Sequence, residues 1–224
     1  PAPAASTGGA EMTIDLQMIA QQAGARAAIY GALAAALSVP HPGLFDDVAA
    51  AVVAGVDELT SPACEQALLA LTAQGSCSLG QLAREYRRVM TPTGCRPLAL
   101  YESLHRHGRL MGEATLAVKQ WYRRLGVEPG DGELADHASV ELTFLAELAV
   151  VESEVADGGN RTLVRRLQQE QRAFLEAHAG VWLPELGVAL ATSPSTFYRT
   201  IGGWLRGKRR TKPGAYSCRP KTVR

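Results

Sequence analysis

The stretch EPGDGELADHASVELTFLAELAVVESEVAD, residues 128–157, decides how the rest of the chain is read. It divides into a turn and a helix. Pro129, Gly130 and Gly132 interrupt regular structure ahead of Asp136-His137. After them Leu134, Ala138, Leu142, Leu145 and Ala149 recur at three- and four-residue steps, an apolar stripe of helical period. Glu141, Glu147 and Glu152 fall mostly away from that stripe. Nine acids lie in this stretch, with no Lys or Arg: Glu128, Asp131, Glu133, Asp136, Glu141, Glu147, Glu152, Glu154 and Asp157. Within the stretch they have no salt-bridge partner. Read as exposed charge, they form a negative field that attracts a basic partner, a short basic peptide being the natural candidate.

The helical period continues outward in both directions. Residues 14–38 form an alanine-rich helix stopped by Pro40-His41-Pro42, and 42–59 form a second. Ser61-Pro62 opens a third, to about 74. Ser78-x-x-Gln81 has capping-box form and opens 79–90. Two prolines and a glycine make 91–97 a loop. Residues 102–125 read as one continuous helix, with Leu110, Ala114, Ala117, Val118, Trp121 and Leu125 on one face. Gly158-Gly159-Asn160 ends the helix of the opening stretch, and Asn160 caps 161–179. Leu183-Pro184 begins another helix. Ser193-Pro194 begins the last, ending near Gly207. No segment alternates with period two. The expectation is an all-α chain, a single helical domain of roughly eight to ten helices. Its parts are a disordered N-terminus at 1–12, the helical domain at 13–206 with a turn at about 126–136, and a basic tail at 207–224.

The formal charge of +1 hides an uneven distribution. From Arg206 to Arg224 there are eight basic residues and no acid, which leaves 15 basic against 22 acidic elsewhere, a net −7. The tail lacks aromatic interleaving, and the acidic body repels a phosphate backbone, so a nucleic-acid-binding regulator is the lesser reading. Cys64, Cys77, Cys95 and Cys218 lack the spacing of a metal finger and fit free thiols in a reducing cytosol. The longest apolar run, 27–39, is 13 residues, short of the ~20 that span a membrane. The N-terminus lacks the charged region of a secretory signal.

Motifs for catalysis are missing. There is no HExxH, no phosphate-binding GxxxxGK[ST], no GxGxxG and no GxSxG. His105 and His107 lie two apart and diverge on a helix. His137 and Glu141 share a helical face and are the one pair from which a metal-dependent enzyme would be built. Asp136-His137 itself carries two readings. In one, Asp136 is an N-cap or first-turn acid of the following helix, worth about 1 kcal/mol, beside an exposed His137. In the other, both line a groove whose carboxylate meets a cationic ligand.

Several short motifs in order resemble the TorD/DmsD family. They are Glu85-Tyr86-Arg87-Arg88-Val89-Met90, Leu100-Tyr101-Glu102-Ser103, Arg109-Leu110-Met111-Gly112-Glu113 and Trp121-Tyr122-x-x-Leu125-Gly126. Asp136-His137-x-x-x-Glu141-Leu142-x-Phe144-Leu145, His178-Ala179-x-x-Trp182-Leu183-Pro184 and Phe197-Tyr198 complete the set. The resemblance covers about residues 79–205. It implies a TorD-like fold with two helical halves joined by a hinge at about 126–136. It also implies a cytoplasmic maturation chaperone, not an enzyme, that uses no cofactor or metal of its own. Such a protein binds the twin-arginine leader, or the apo form, of a molybdenum oxidoreductase catalytic subunit. It assists cofactor insertion and holds back export. A chaperone of a non-exported, nitrate-reductase-type enzyme is the variant of that reading.

Carried over residue by residue, the resemblance places Tyr86, Met90, Tyr101, Arg106, Asp136, His137 and Glu141 at the leader-binding groove. Met90 stands where the family commonly has Phe. The family often has Glu-Pro-x-Asp-His in close order, whereas here extra residues separate Glu128-Pro129 from Asp136-His137. A longer hinge is compatible with a monomer or a domain-swapped dimer.

Overall fold

The computed structural model describes residues 7–46, 48–50, 78–90, 98, 100–128 and 132–206. The helices expected across 51–77, the loop at 91–97, all four cysteines and the tail at 207–224 lie outside the described residues. The helices among the described residues are α1 (Thr7–Leu37), α2 (Leu79–Met90), α3 (Glu102–His107), α4 (Glu113–Arg124), α5 (Ala138–Asp157), α6 (Arg161–Ala177), α7 (Ala179–Leu190) and α8 (Thr196–Arg206). Residues 44–46 and 48–50 are also helical. The chain is all-α, as the spacing predicts. The one β feature among the described residues is an isolated antiparallel bridge between Tyr101 and His137.

The two longest helices, α1 and α5, lie along each other. Alanine is what lets them approach. Ala20, Ala23, Ala27 and Ala34 of α1 are buried, and a Cβ on Gly24 would meet Ser153 Oγ at 3.8 Å. Ser153 Oγ donates to the Ala20 carbonyl at 2.8 Å. Leu33, Leu37, Leu142, Leu145 and Leu148 fill the seam, each worth roughly 1.5–3 kcal/mol on burial. The helix starts at Thr7, ahead of residue 14 and inside the stretch expected to be disordered. Glu152 corrects a larger expectation. It is fully buried, pairs with Arg26 of α1 at 2.6 Å, and accepts from Gln168 and Gln171 at 2.7 Å each. The acidic stretch is therefore not a single exposed field. Its missing counter-charge arrives from a residue 126 positions away.

Three helix boundaries also differ. The expected single helix over 102–125 is broken between α3 and α4. Gly108 closes α3 at φ 69°, its N–H donating to the Leu104 carbonyl, and Met111 follows at φ 58°. Glycine takes the left-handed conformation without the Cβ penalty, so the chain turns there. Leu110 is consequently exposed, and the apolar face runs only from Ala114 onward. Pro184 lies inside α7 rather than opening it. The helix begins at Ala179 after the irregular His178 (φ −129°, ψ −100°). Pro184 thus falls just past the first turn, where it forgoes one helical bond. The last helix is capped at Ser195, whose Oγ accepts from Tyr198 N–H at 3.4 Å. Asn160 caps α6 as expected, accepting from Leu163 N–H at 3.1 Å.

Helices α7 and α8 cross through glycine. A Cβ on Gly187 would lie 2.8 Å from the Gly202 carbonyl oxygen, and one on Gly202 would lie 2.6 Å from Ala191 N. Both contacts are with backbone, which cannot swing away. Gly203, one residue on, faces open space. Gly187→Ala and Gly202→Ala should each cost about 1–3 kcal/mol. Gly203→Ala should be neutral or gain up to about 1 kcal/mol from helix propensity. Urea unfolding of the three variants checks this, and equal effects at Gly202 and Gly203 would refute the close crossing.

Candidate functional site

The segment that enters α5 is held on every side. His137 N–H donates to the Leu134 carbonyl at 2.9 Å. Tyr122 Oη, from α4, donates to the Ala135 carbonyl at 2.9 Å. Glu102 N–H donates to the Asp136 carbonyl at 2.9 Å, and Ala138 N–H donates to the Leu100 carbonyl at 2.8 Å. These last two bonds form the bridge that pins the start of α3 to the start of α5.

Asp136 and His137 cap two different helices across this bridge. Asp136 Oδ2 accepts from Ser103 N–H at 2.9 Å, in the first turn of α3. Tyr101, at the cap position of α3, makes no side-chain cap of its own. His137 is the cap of α5, its Nδ1 accepting from Ser139 N–H at 3.2 Å and lying 2.7 Å from Ser139 Oγ. Both expectations for the pair are thus corrected in part. Asp136 is a cap, but of a helix 33 residues away in sequence. His137 is buried, not exposed. Burial pushes the His137 imidazole below its ordinary value, against the opposing pull of Glu133 and Asp136. The neutral ring suits an acceptor role at Nδ1.

Behind the bridge lies a group of three fully buried carboxyls: Glu102, Asp136 and Glu141. Glu102 is compensated by Arg106 at 2.5 Å and by His178 Nδ1 at 2.9 Å. Glu141 Oε2 accepts from Trp182 Nε1 at 3.1 Å, while Glu141 Oε1 and Asp136 Oδ1 are buried without a partner. Burial first, then the neighbouring Glu102 charge, pushes Glu141 well above the carboxylate range. The shift favours the protonated form of Glu141, the cheaper state for a carboxyl with no cation at hand. Its Trp182 bond and the cap role of His137 also dispose of the metal pair. Among the described residues no three metal-ligating side chains converge.

The outer face is different. Tyr101 is half-buried, and its Oη donates to Glu133 Oε2 at 2.8 Å. Its ring meets His137 edge-on at 4.9 Å between centroids. Glu133 is exposed. Burial first, then the hydrogen bond to Glu133, pushes the Tyr101 hydroxyl up to about 12, so it stays a donor. Tyr86, half-buried on α2, packs against Tyr198 at 6.3 Å, and after burial the charge of Glu133 raises its hydroxyl. Of the seven residues placed at the groove, Tyr86 and Tyr101 are thus part-open, and Arg106 is exposed while tied to Glu102 and the Ala177 carbonyl. Met90, Asp136, His137 and Glu141 are buried behind them. Glu133, Glu102 and His178 were not singled out from sequence. Glu133 was counted only as one of nine acids, and Glu102 and His178 meet across 76 residues, which no local pattern announces.

Two outcomes test the buried side. Asp136→Ala should cost about 1–3 kcal/mol, by uncapping α3 and orphaning the Ser103 N–H. For Glu141 the folded state holds a proton that the unfolded chain releases above the carboxylate range. Its contribution is present at low pH and is lost as pH rises. Glu141→Gln, which mimics the protonated acid, should therefore gain stability relative to the parent chain as pH rises above the ordinary carboxylate range. A difference that does not vary with pH in urea titrations would show that Glu141 is ionised.

No curated protein matches the sequence. A solved structure from Archaeoglobus fulgidus, described as a redox enzyme maturation protein, shares the fold with a TM-score of 0.51 and 17% identity, over 80% of this chain and 93% of that one. The model of the nitrate reductase delta subunit family matches residues 52–187, more than half of the chain. The chain belongs to that family of redox-enzyme maturation chaperones, which are not catalysts, and its resemblance to TorD/DmsD proteins is borne out.

Proposed function

We propose that this chain is a cytoplasmic chaperone that binds the N-terminal twin-arginine leader, the apo form, or both, of a molybdenum oxidoreductase catalytic subunit. It assists cofactor insertion and prevents premature export. The family acts with molybdoenzyme catalytic subunits. The observation that carries it is the Tyr101–Glu133 pair. A part-open aromatic ring stands beside an exposed carboxylate whose near neighbour is a neutral hydroxyl. An arginine can pair with Glu133 while stacking on Tyr101, and each contact strengthens the other's geometry. Tyr86 extends the aromatic wall. Asp136 and His137 serve by holding Tyr101 and Glu133 in place, and Met90 and Glu141 by filling the support behind them. Among the described residues no helix is long and apolar enough to cross a membrane.

A second reading keeps the surface and changes the client. The matching family is described by the nitrate reductase delta subunit, which favours a non-exported enzyme with a basic N-terminus lacking the arginine pair.

The test is titration of a labelled Arg-Arg leader peptide. Tyr101→Ala and Glu133→Gln should each weaken binding about tenfold while the helical circular dichroism is retained. The parent affinity should fall with added salt, and the Glu133→Gln affinity should fall less. Unchanged affinity in both variants would remove this face from the site. A peptide with the arginine pair replaced by lysine separates the two clients. Indifference to that change favours the non-exported enzyme.

A further inference from the structure

The basic tail has no role in the site described so far. Residues 207–224 carry Lys208, Arg209, Arg210, Lys212, Arg219, Lys221 and Arg224 and no acid. We propose that this tail docks on the Tyr101–Glu133 face of its own chain and competes there with the client's leader. The inference rests on the reading of that face as the leader site.

Three observations support it. The first is chemical. The tail contains consecutive arginines, Arg209-Arg210, within a run of four bases in five residues from 208 to 212. It offers the same groups that a twin-arginine leader brings. The second is electrostatic. Glu133 is exposed and held by a neutral phenol, and Glu128 nearby in the chain is also exposed. Without these seven bases the rest of the chain has 16 basic and 22 acidic residues, net −6, so a tail of this sign is drawn to the body before it meets any partner. The third is reach. Helix α8 begins beside α2, where Ser195 Oγ donates to Glu85 Oε2 at 2.6 Å and Tyr198 packs on Tyr86. Tyr86 in turn lies within electrostatic reach of Glu133 and Tyr101. The 11 residues of α8 carry the chain about 16 Å along its axis. The 18 residues that follow can span up to about 60 Å when extended. The tail therefore has ample length to turn back to the face.

A tether changes the competition quantitatively. A tail held within tens of ångströms has an effective concentration on the order of millimolar, so even a weak segment excludes a free peptide several-fold. The device would let a strong leader displace the tail while keeping weaker basic peptides off.

The experiment uses the full chain. In one variant Lys208→Gln, Arg209→Gln, Arg210→Gln and Lys212→Gln are combined. A labelled synthetic peptide with Arg-Arg followed by an apolar run is titrated against both chains at low ionic strength. The neutralised chain should bind it roughly 2- to 10-fold more tightly. The gap should close at high salt and vanish when Glu133→Gln is added. A free peptide of residues 207–224 should bind the neutralised chain and displace the probe. Equal probe affinity for both chains, with Glu133 still required, overturns the tail proposal and leaves the leader site standing. No Glu133-dependent binding of the leader probe overturns the leader reading instead. In that case binding of the 207–224 peptide, measured directly, still supports tail docking, and its failure to bind overturns that too.

Discussion

The structure depends on how two helix N-termini are satisfied at one point. The first N–H groups of a helix have no partner within it, and burying them unpaired is costly. Here α3 and α5 start against each other, away from water. Two adjacent residues solve both ends. Asp136 reaches back to Ser103 of α3, and His137 reaches forward to Ser139 of α5. The backbone bonds of the Tyr101–His137 bridge lock the two starts together. A carboxylate suits the first end because it also meets the positive pole of a helix. A neutral imidazole suits the second because its bare Nδ1 accepts, and burial keeps it neutral.

That solution brings acids into the interior, and each is handled differently. Glu102 has a guanidinium and an imidazole. Glu152, at the far end of α5, has Arg26 and two glutamine amides. Asp136 has a backbone donor. Glu141 accepts from the Trp182 indole, and burial pushes it toward its protonated form. The ordering follows the number of donors within reach, as desolvation requires. For Glu141, burial first and then the neighbouring Glu102 charge disfavour the ionised form.

The fold class was legible because periodicity is a local property. Ala138, Leu142, Leu145 and Ala149 all face the core, and Asn160 caps where its position predicts. The break at Gly108 was not legible. The apolar period from Leu110 to Leu125 is unbroken in sequence, and only the left-handed turn at Gly108 and Met111 displaces Leu110 into solvent. Pro184 misled for a related reason. Proline marks the first turn of a helix only loosely, and His178, with no proline signal, set the boundary. In the site, sequence pointed to the Asp136–His137 pair and to Tyr86 and Tyr101, but not to what any of them touches. Ser103 lies 33 residues from Asp136, His178 lies 76 from Glu102, and Arg26 lies 126 from Glu152. No reading of neighbours along the chain supplies contacts of that span. The uncompensated acidity of 128–157 was a real observation with a misplaced cause, since its strongest compensation comes from α1.

The division between buried and exposed acids then decides what the outer face can select. A guest at Glu133 meets one exposed carboxylate directly. Behind Tyr101, Asp136 adds to the negative potential through low-dielectric protein, where charge is poorly screened. The Tyr101 hydroxyl is raised by burial first, then by Glu133, with Asp136 adding least. Glu141, whose ionised form burial disfavours, adds less to that field. Tyr101 stays a neutral phenol and brings no positive charge, so a cation is what relieves the field. On the proposed leader site, selection is therefore set by charge before shape. The aromatic rings refine it, because arginine stacks on tyrosine more readily than a strongly hydrated lysine does. A face that discriminates in this way needs a rigid acid and a rigid ring at fixed separation. The bridge between α3 and α5 supplies both from adjacent backbone.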